Sequence, residues 1–332
     1  MNTFIDVAKM NRSPYDSTFS HDARTMLTTH YDTGANLYKF WGSPASVSSA
    51  LLRGWAHSAH PGHLSYAWDL ERAPSLDAGI RATTLQAVGR MGLSGNPSPR
   101  IYEAGCGIGG CTLEVAALFP GGQVSGLAIV RSQLAIARAR AAAQNLSNVE
   151  FVCANYLATP FPERHFDVAF AMECVVHTPV AERPQLLREF LRVLKPGGIL
   201  VIFDGFSLRE PNSESEHRHI EDVMEGWTLP LPPRPSVFRE QAEQAGFKVI
   251  EQTDTTAHVF HSARRISAIA TWVLRPLSWI ARIPWLSGLT RPMGFASARH
   301  ATSFVRACRA QLRVFETGLG AYYVHVFQRP EP

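Results

Sequence analysis

Residues 100–110, Arg100-Ile101-Tyr102-Glu103-Ala104-Gly105-Cys106-Gly107-Ile108-Gly109-Gly110, run from a β-prone apolar segment into a cluster of glycines. A helical pattern with Thr112, Leu113, Val115, Ala116 and Leu118 follows directly. Strand, tight turn and helix in that order open a parallel α/β sheet. Glycines suit such a turn because a Cβ would block close backbone approach to a ligand, and because the turn visits positive φ.

The alternation continues outward from this unit. QVSGLA at 123–128 reads as a second strand followed by an alanine-rich helix over 131–145, and NVEFVCA at 148–154 as a third strand. HFDVAFAM at 165–172 is a fourth, and a helix over 182–194 stops at Lys195-Pro196-Gly197-Gly198, where proline and two glycines force a turn. Gly198 then opens a fifth strand, ILVIFDG. Further on, 236–246 reads as a helix ending at Gly246, FKVIEQTD at 247–254 as a strand, and AYYVHVFQ at 321–328 as a late strand. These divisions predict four parts: a helical lid over 1–75, a core over 76–254, an inserted helical cap over 255–318, and a last strand with its tail over 319–332.

With 332 residues, 45% hydrophobic and 18% charged, the chain is too apolar to be disordered. Its net charge of +4 is too small to indicate a nucleic-acid partner. The charge is uneven, however. Nine arginines and no acid lie between Asp254 and Glu316, so the remainder is net acidic. Five cysteines, Cys106, Cys111, Cys153, Cys174 and Cys308, without a CxxC pair argue against a disulfide scaffold and fit a reducing compartment. No basic start leads into an apolar core at the N-terminus, so a cytoplasmic location is expected. The greasiest stretch, Ile266 to Leu289, is broken by Arg275, Pro276, Arg282 and Pro284 and does not read as a plain membrane span.

The glycine loop admits two ligands. Through Gly105, Gly107 and Gly110 it satisfies the dinucleotide fingerprint, which needs an acid at the tip of the second strand for the ribose. That tip is Gly126-Leu127-Ala128-Ile129, which has none. Through Gly105, Gly107 and Gly109 it is GxGxG preceded by Glu103, a carboxylate suited to a ligand with a positive group near the loop.

On these residues the chain resembles the class I S-adenosylmethionine-dependent methyltransferases. IYEAGCGIGG resembles the family's first motif, FPERHFDVAFAMECVVH its fourth-strand motif, and LLREFLRVLKPGGILVIFD the helix, turn and fifth strand that follow. The resemblance implies a Rossmann-like α/β fold: a mostly parallel seven-stranded sheet with helices on both faces, an N-terminal helical lid, and a helical cap inserted before the last strand. It also implies S-adenosyl-L-methionine as cofactor, with Gly105, Gly107 and Gly109 passing its methionine part and Glu103 helping to hold the ammonium. Ala128 stands where the usual ribose acid would be. Gly126-Leu127-Ala128-Ile129-Val130-Arg131-Ser132-Gln133 is similar to a segment of the carbon-methylating branch, in which the glutamine takes the ribose contact, here Gln133. Asn155-Tyr156-Leu157-Ala158-Thr159-Pro160-Phe161 looks like the third-strand segment of geranyl diphosphate methyltransferases. Asn155 would then meet the adenine amino group through its side-chain carbonyl, with Tyr156 and Met172 as further cofactor neighbours. His30-Tyr31-Asp32 resembles the helix that folds over the cofactor in cyclopropane synthases and sterol methyltransferases, and Tyr31 is also explained as a packing residue.

Carbon nucleophiles add a demand. An alkene that takes a methyl group becomes a carbocation, which must be shielded and then deprotonated. Glu173 in Met172-Glu173-Cys174-Val175-Val176-His177 matches the acid after the fourth strand in sterol and prenyl diphosphate enzymes, and is expected to stabilise the cation and act as base. His177 is the second choice, and a solvated loop acid is the plain alternative for Glu173. Trp272, Trp279 and Trp285 of the cap could shield the cation or simply pack.

The expected substrate is an isoprenoid, foremost geranyl or farnesyl diphosphate, with sterols or other lipids second and small-molecule oxygen or nitrogen acceptors third. Arg264, Arg265 and Arg275 are candidates for a phosphate pocket. Arg299, Arg306, Arg309 and Arg313 fall on one face of a helix over about 298–315, opposite Phe304, Cys308, Leu312 and Phe315. That basic face could be solvated or could touch anionic lipid. His57, His60 and His63 fit no common zinc spacing, so no metal site is expected from them, although Mg2+ bridging a diphosphate substrate is compatible with the reading.

Overall fold

The computed structural model describes residues 66–276 and 298–332. Tyr31, His57, His60, His63, Trp279 and Trp285 lie outside the described residues. Seven strands form one sheet: β1 (Arg100–Ala104), β2 (Gln123–Ala128), β3 (Val149–Cys153), β4 (Phe166–Met172), β5 (Leu194–Ser207), β6 (Lys248–Asp254) and β7 (Gly320–Gln328). Their order is β3-β2-β1-β4-β5-β7-β6, with β7 antiparallel to both neighbours and β1 to β5 mutually parallel. The eight α-helices among the described residues are α1 (Leu76–Val88), α2 (Gly110–Leu118), α3 (Arg131–Ala143), α4 (Arg183–Val193), α5 (Glu214–Trp227), α6 (Pro235–Ala245), α7 (Thr256–Ile269) and α8 (Ala298–Glu316). The parallel sheet follows the alternation, and the whole is the Rossmann-like architecture that the resemblance implies.

Central strands buried on both faces need apolar residues at nearly every position. β4 meets that condition, and its alternate side chains feed two separate cores. Phe166, Ala169 and Ala171 join Tyr102, Phe190 and Phe238 on one face. Val168, Phe170 and Met172 join Ile101, Val115, Phe203, Val259 and Tyr322 on the other. On the first face α4 contributes Leu186, Leu187, Phe190 and Val193, the i, i+1, i+4, i+7 stripe of an amphipathic helix.

Two local differences from expectation have clear causes. β5 begins at Leu194, before the Pro-Gly-Gly turn, because Leu194 still pairs with Phe166 while Ile199 pairs with Val168. Lys195 to Gly198 are therefore a bulge within the strand, with Gly197 at φ 75°, and not its starting boundary. The helix α5 was not expected from the sequence. It starts at the N-cap Ser213, whose Oγ accepts the Glu216 amide at 3.2 Å, while Glu216 Oε2 accepts the Asn212 amide at 2.9 Å. α5 packs against α8 through the Trp227 and Phe304 rings, 5.0 Å apart, and Arg306 of α8 pairs with Asp222 and Glu225 of α5.

The basic face of α8 is arranged as the periodicity predicts. Arg299, Arg306, Arg309 and Arg313 are exposed, and Phe304 and Cys308 are buried. The excursion carrying α7 and α8 leaves β6 at Asp254 and rejoins β7 beside Tyr323, and these two residues are register partners. No helix among the described residues is long and apolar enough to cross a membrane.

Candidate active site

One cavity of about 330 Å³ opens at the carboxyl ends of β1, β2, β4 and β5 and is roofed by α5, α7 and α8. Ligands of open α/β sheets bind at this end of the strands, where the helices diverge.

The floor is the glycine loop. Gly105 has φ 72°, and a Cβ there would lie 2.8 Å from the Cys174 sulfur. Gly107 has φ 53°, and a Cβ there would meet nothing within 4 Å, so that peptide faces open space in the cavity. Gly109, the third glycine of the motif, does not line the cavity. It caps α2 and packs on Ala137 and Phe151, a helix-packing role. Glu103, at the end of β1, is buried, and its Oε2 accepts a hydrogen bond from the Thr112 hydroxyl on α2. Burial pushes its carboxyl up to about 7, against the opposing pull of Thr112. Thr112 escaped the sequence reading because it looks like an ordinary helix residue.

Gln133, in the first turn of α3, is buried against the cavity beside Ala128 and Ile129, where the ribose contact was expected. Asn155 and Tyr156 also line the wall. The Asn155 side-chain carbonyl already accepts the Leu157 amide at 3.0 Å, so one of its two lone pairs is used within the turn. The Thr178 hydroxyl donates to the Tyr156 hydroxyl at 3.1 Å. Met172 closes β4 at the cavity edge.

Glu173 follows Met172 in the left-handed region, at φ 53°. Its carboxylate faces the cavity and is no solvated loop acid. Oε1 accepts the Tyr66 amide at 3.0 Å and the Tyr322 hydroxyl at 2.8 Å. Oε2 has no hydrogen-bond partner among the described residues. Burial raises the Glu173 carboxyl to about 7; the two donors pull it down and the nearby Asp204 adds to the rise. Asp204, near the end of β5, is a second buried carboxylate at the cavity, likewise raised by burial to about 7. It was missed because, although it ends the fifth-strand motif, nothing in the sequence marks it as facing the cavity. His177 lines the same wall, and burial holds its imidazole down to about 4. It is neutral at pH 7.

The roof is apolar and aromatic: Trp227, Phe315, Tyr322, Tyr66, Val223 and Ile266. Trp272 is not among its residues. It is 76% exposed on a π-helical turn, Ala270–Leu274, whose inward side is filled by Ala270 and Leu274. The aromatic lining among the described residues comes from α5, α8, β7 and Tyr66. Among the described residues no lysine or arginine lines the cavity, and Arg264, Arg265 and Arg275 stand outside it. No group of three or more His, Cys, Asp or Glu side chains among the described residues is arranged to hold a metal ion.

Residues 101–198 match the family described as a methyltransferase domain. The chain is 30% identical over 220 residues to the 24-methylenesterol C-methyltransferase 2 of Oryza sativa subsp. japonica, covering 63% of this chain and 60% of that protein. It is 31% identical over 196 residues to the O-methyltransferase rstn1 of Aspergillus nomiae, covering 58% of this chain and 82% of that protein. The fold superposes on the cyclopropane synthase MmaA2 of Mycobacterium tuberculosis with a TM-score of 0.71 and 15% identity, covering 93% of this chain and 98% of that one. The chain spans less than two thirds of the length of the sterol C-methyltransferases it matches.

Proposed function

The chain belongs to the class I S-adenosylmethionine-dependent methyltransferases, and on that premise we propose that it is a C-methyltransferase acting on an alkene carbon of an apolar isoprenoid lipid. The observation that carries the reading is Glu173: a buried carboxylate whose Oε2 has no hydrogen-bond partner among the described residues, set where the glycine floor meets an aromatic roof. An oxygen or nitrogen acceptor attacks with its own lone pair and passes through no carbocation, so it needs at most a base for its own proton and no aromatic chamber around a cation. An alkene needs both.

The site fits the cofactor. Gly107 leaves open space, Glu103 offers a buried acid, and Gln133 stands in the absent ribose acid's place. When bound, S-adenosylmethionine supplies an electrophilic methyl group that needs no metal to activate it. The chain's part is orientation and exclusion of water. Glu103 would hold the ammonium, Gln133 the ribose, and the second lone pair of Asn155 the adenine amino group. Trp227, Phe315 and Tyr322, which line the cavity, would enclose the alkene and shield the cation formed on it. The negative charge of Glu173 stabilises that cation, and Oε2 takes the proton from the neighbouring carbon as the new alkene forms.

A neutral lipid, such as a sterol-type side chain, suits the described lining better than a diphosphate does. Three carboxylates face the cavity and no cation does among the described residues, so a phosphate head would meet like charge. The nine arginines of the insertion favour a second reading, a prenyl diphosphate such as geranyl or farnesyl diphosphate, with Mg2+ as an optional bridge.

Incubation with methyl-labelled cofactor and a panel of sterols, squalene, and geranyl and farnesyl diphosphates separates the two. Label on carbon in a neutral lipid, lost in Glu173→Gln, supports the first reading. Label confined to diphosphates supports the second. Label found on oxygen or nitrogen, or turnover undiminished in Glu173→Gln, overturns both.

A further inference from the structure

Glu173 does not hold its own place. Both donors to Oε1, the Tyr66 amide and the Tyr322 hydroxyl, are fixed by the same short stretch, Thr255 to Ser262 at the start of α7. On the Tyr322 side, the Thr255 amide and hydroxyl donate to the Tyr322 carbonyl at 2.8 and 3.0 Å, and the Thr256 hydroxyl accepts the Tyr322 amide at 2.9 Å. On the Tyr66 side, Ser262 Oγ accepts the Ala67 amide at 3.0 Å. The His258 carbonyl accepts the Asp69 amide at 2.8 Å, and His258 Nδ1 stands 2.8 Å from Asp69 Oδ1. The His258 imidazole also stacks on Trp68 at 4.3 Å and 9°.

Resting on the role of Glu173 as base, we infer that the first two turns of α7, with His258 at their centre, are the positioning element of the active carboxylate. His258 touches neither the cavity nor the carboxylate. It acts by seating residues 67–69, so that the Tyr66 amide three positions before Asp69 arrives at Oε1. A hydrogen bond to the ionised form favours that form. Loosening the seat therefore weakens one of the two donors that keep Glu173 ionisable in a desolvated site.

The titratable groups that face Glu173 are Asp204 from β5, Tyr322 from β7, Tyr66, and the thiols of Cys111 on α2 and Cys174 beside it. None of them is altered by a change at His258. The His258 side chain is 44% exposed, and its loss uncovers one face of Trp68 and frees Asp69.

The test is a 13C-carboxyl NMR titration of the full chain, with the Glu173 signal assigned by its absence in Glu173→Gln. In His258→Ala the Glu173 midpoint should rise by about one unit, a tenfold loss of the ionised fraction below the midpoint. kcat at neutral pH, close to the starting midpoint, should fall about fivefold, with S-adenosylhomocysteine affinity unchanged. Ser262→Ala, which removes only the acceptor of the Ala67 amide, should move the midpoint in the same direction and serves if His258→Ala does not fold. A Glu173 midpoint that stays at its wild-type value in the folded variant overturns the inference. Because the titration reads Glu173 directly, it stands apart from the chemistry. Undiminished turnover in Glu173→Gln would sink the base role while leaving the seat measurable.

Discussion

Asp204 accepts the amide of Val176 at 2.9 Å, tying the end of β5 to the turn that carries Glu173 and His177. Its other oxygen accepts the Gly205 amide at 2.8 Å. In Asp204→Asn an NH2 group must face one of these amides, leaving it without an acceptor at a cost of about 1–3 kcal/mol. Denaturant unfolding reads that loss. The substitution also removes the negative neighbour that helps raise Glu173. The acid limb of the pH–rate profile should therefore move to lower pH, and a shift to higher pH would contradict the arrangement.

Glu103 makes stability fall as pH rises. Its carboxyl sits at about 7 in the folded chain against an ordinary 4.5, so the native state holds a proton that the unfolded chain has released. The contribution is complete below 4.5 and is lost as pH passes through 7. Its size is on the order of 3 kcal/mol. His177 and His325 act in the opposite sense: both are held neutral by burial at about 4 and charge on unfolding as pH falls below 6.5. The difference between wild type and Glu103→Gln isolates the carboxyl. Melting temperatures taken from pH 5 to 8 should decline less steeply in the variant than in the wild type.

Gly107 leaves room for a ligand that a side chain would take. In Gly107→Ala the backbone must hold φ 53° with a Cβ, costing about 1–2 kcal/mol, while the methyl group projects into open cavity space. Titration calorimetry should find S-adenosylhomocysteine affinity reduced at least about tenfold in a chain that remains folded. Unchanged affinity would place the cofactor elsewhere.

Gln133 is buried yet faces the cavity, so Gln133→Ala should weaken S-adenosylhomocysteine by about 1–2 kcal/mol, close to tenfold, without altering the melting temperature of the free protein. An equal loss of stability and affinity would indicate a packing role instead.

What could be read from the chain follows from the range of each interaction. β4 was legible because six of its seven residues serve two cores, and Glu103, Gly105 and Gly107 because a strand, a turn and a helix coincide at them. Glu173 was legible from its place after β4. Its partners were not, since Tyr66 and Tyr322 lie 107 and 149 positions away and nothing local marks them as donors. Asp204 and Thr112 were hidden because nothing in the sequence shows which way they face: one ends an apolar strand and the other looks like an ordinary helix residue. α5 was locally marked by Ser213 and Glu216, a signal that could have been found. Its role as roof depends on α8, which no local pattern reveals. Trp272 shows the converse: aromatic composition alone made it a candidate for the cavity or for packing, and its helix face sends it outward.

Asp254 and Tyr323, register partners at the sheet edge, are the two feet of the whole excursion that carries α7 and α8. A segment that departs and returns at one point closes its loop at a cost that grows only slowly with length. Such an architecture is modular: ancestors could lengthen, shorten or replace the upper storey while the strands beneath kept their pairing. Transplanting this excursion between members of the family is then a direct route to new acceptor ranges, provided the graft brings its own equivalents of Thr255, His258 and Ser262.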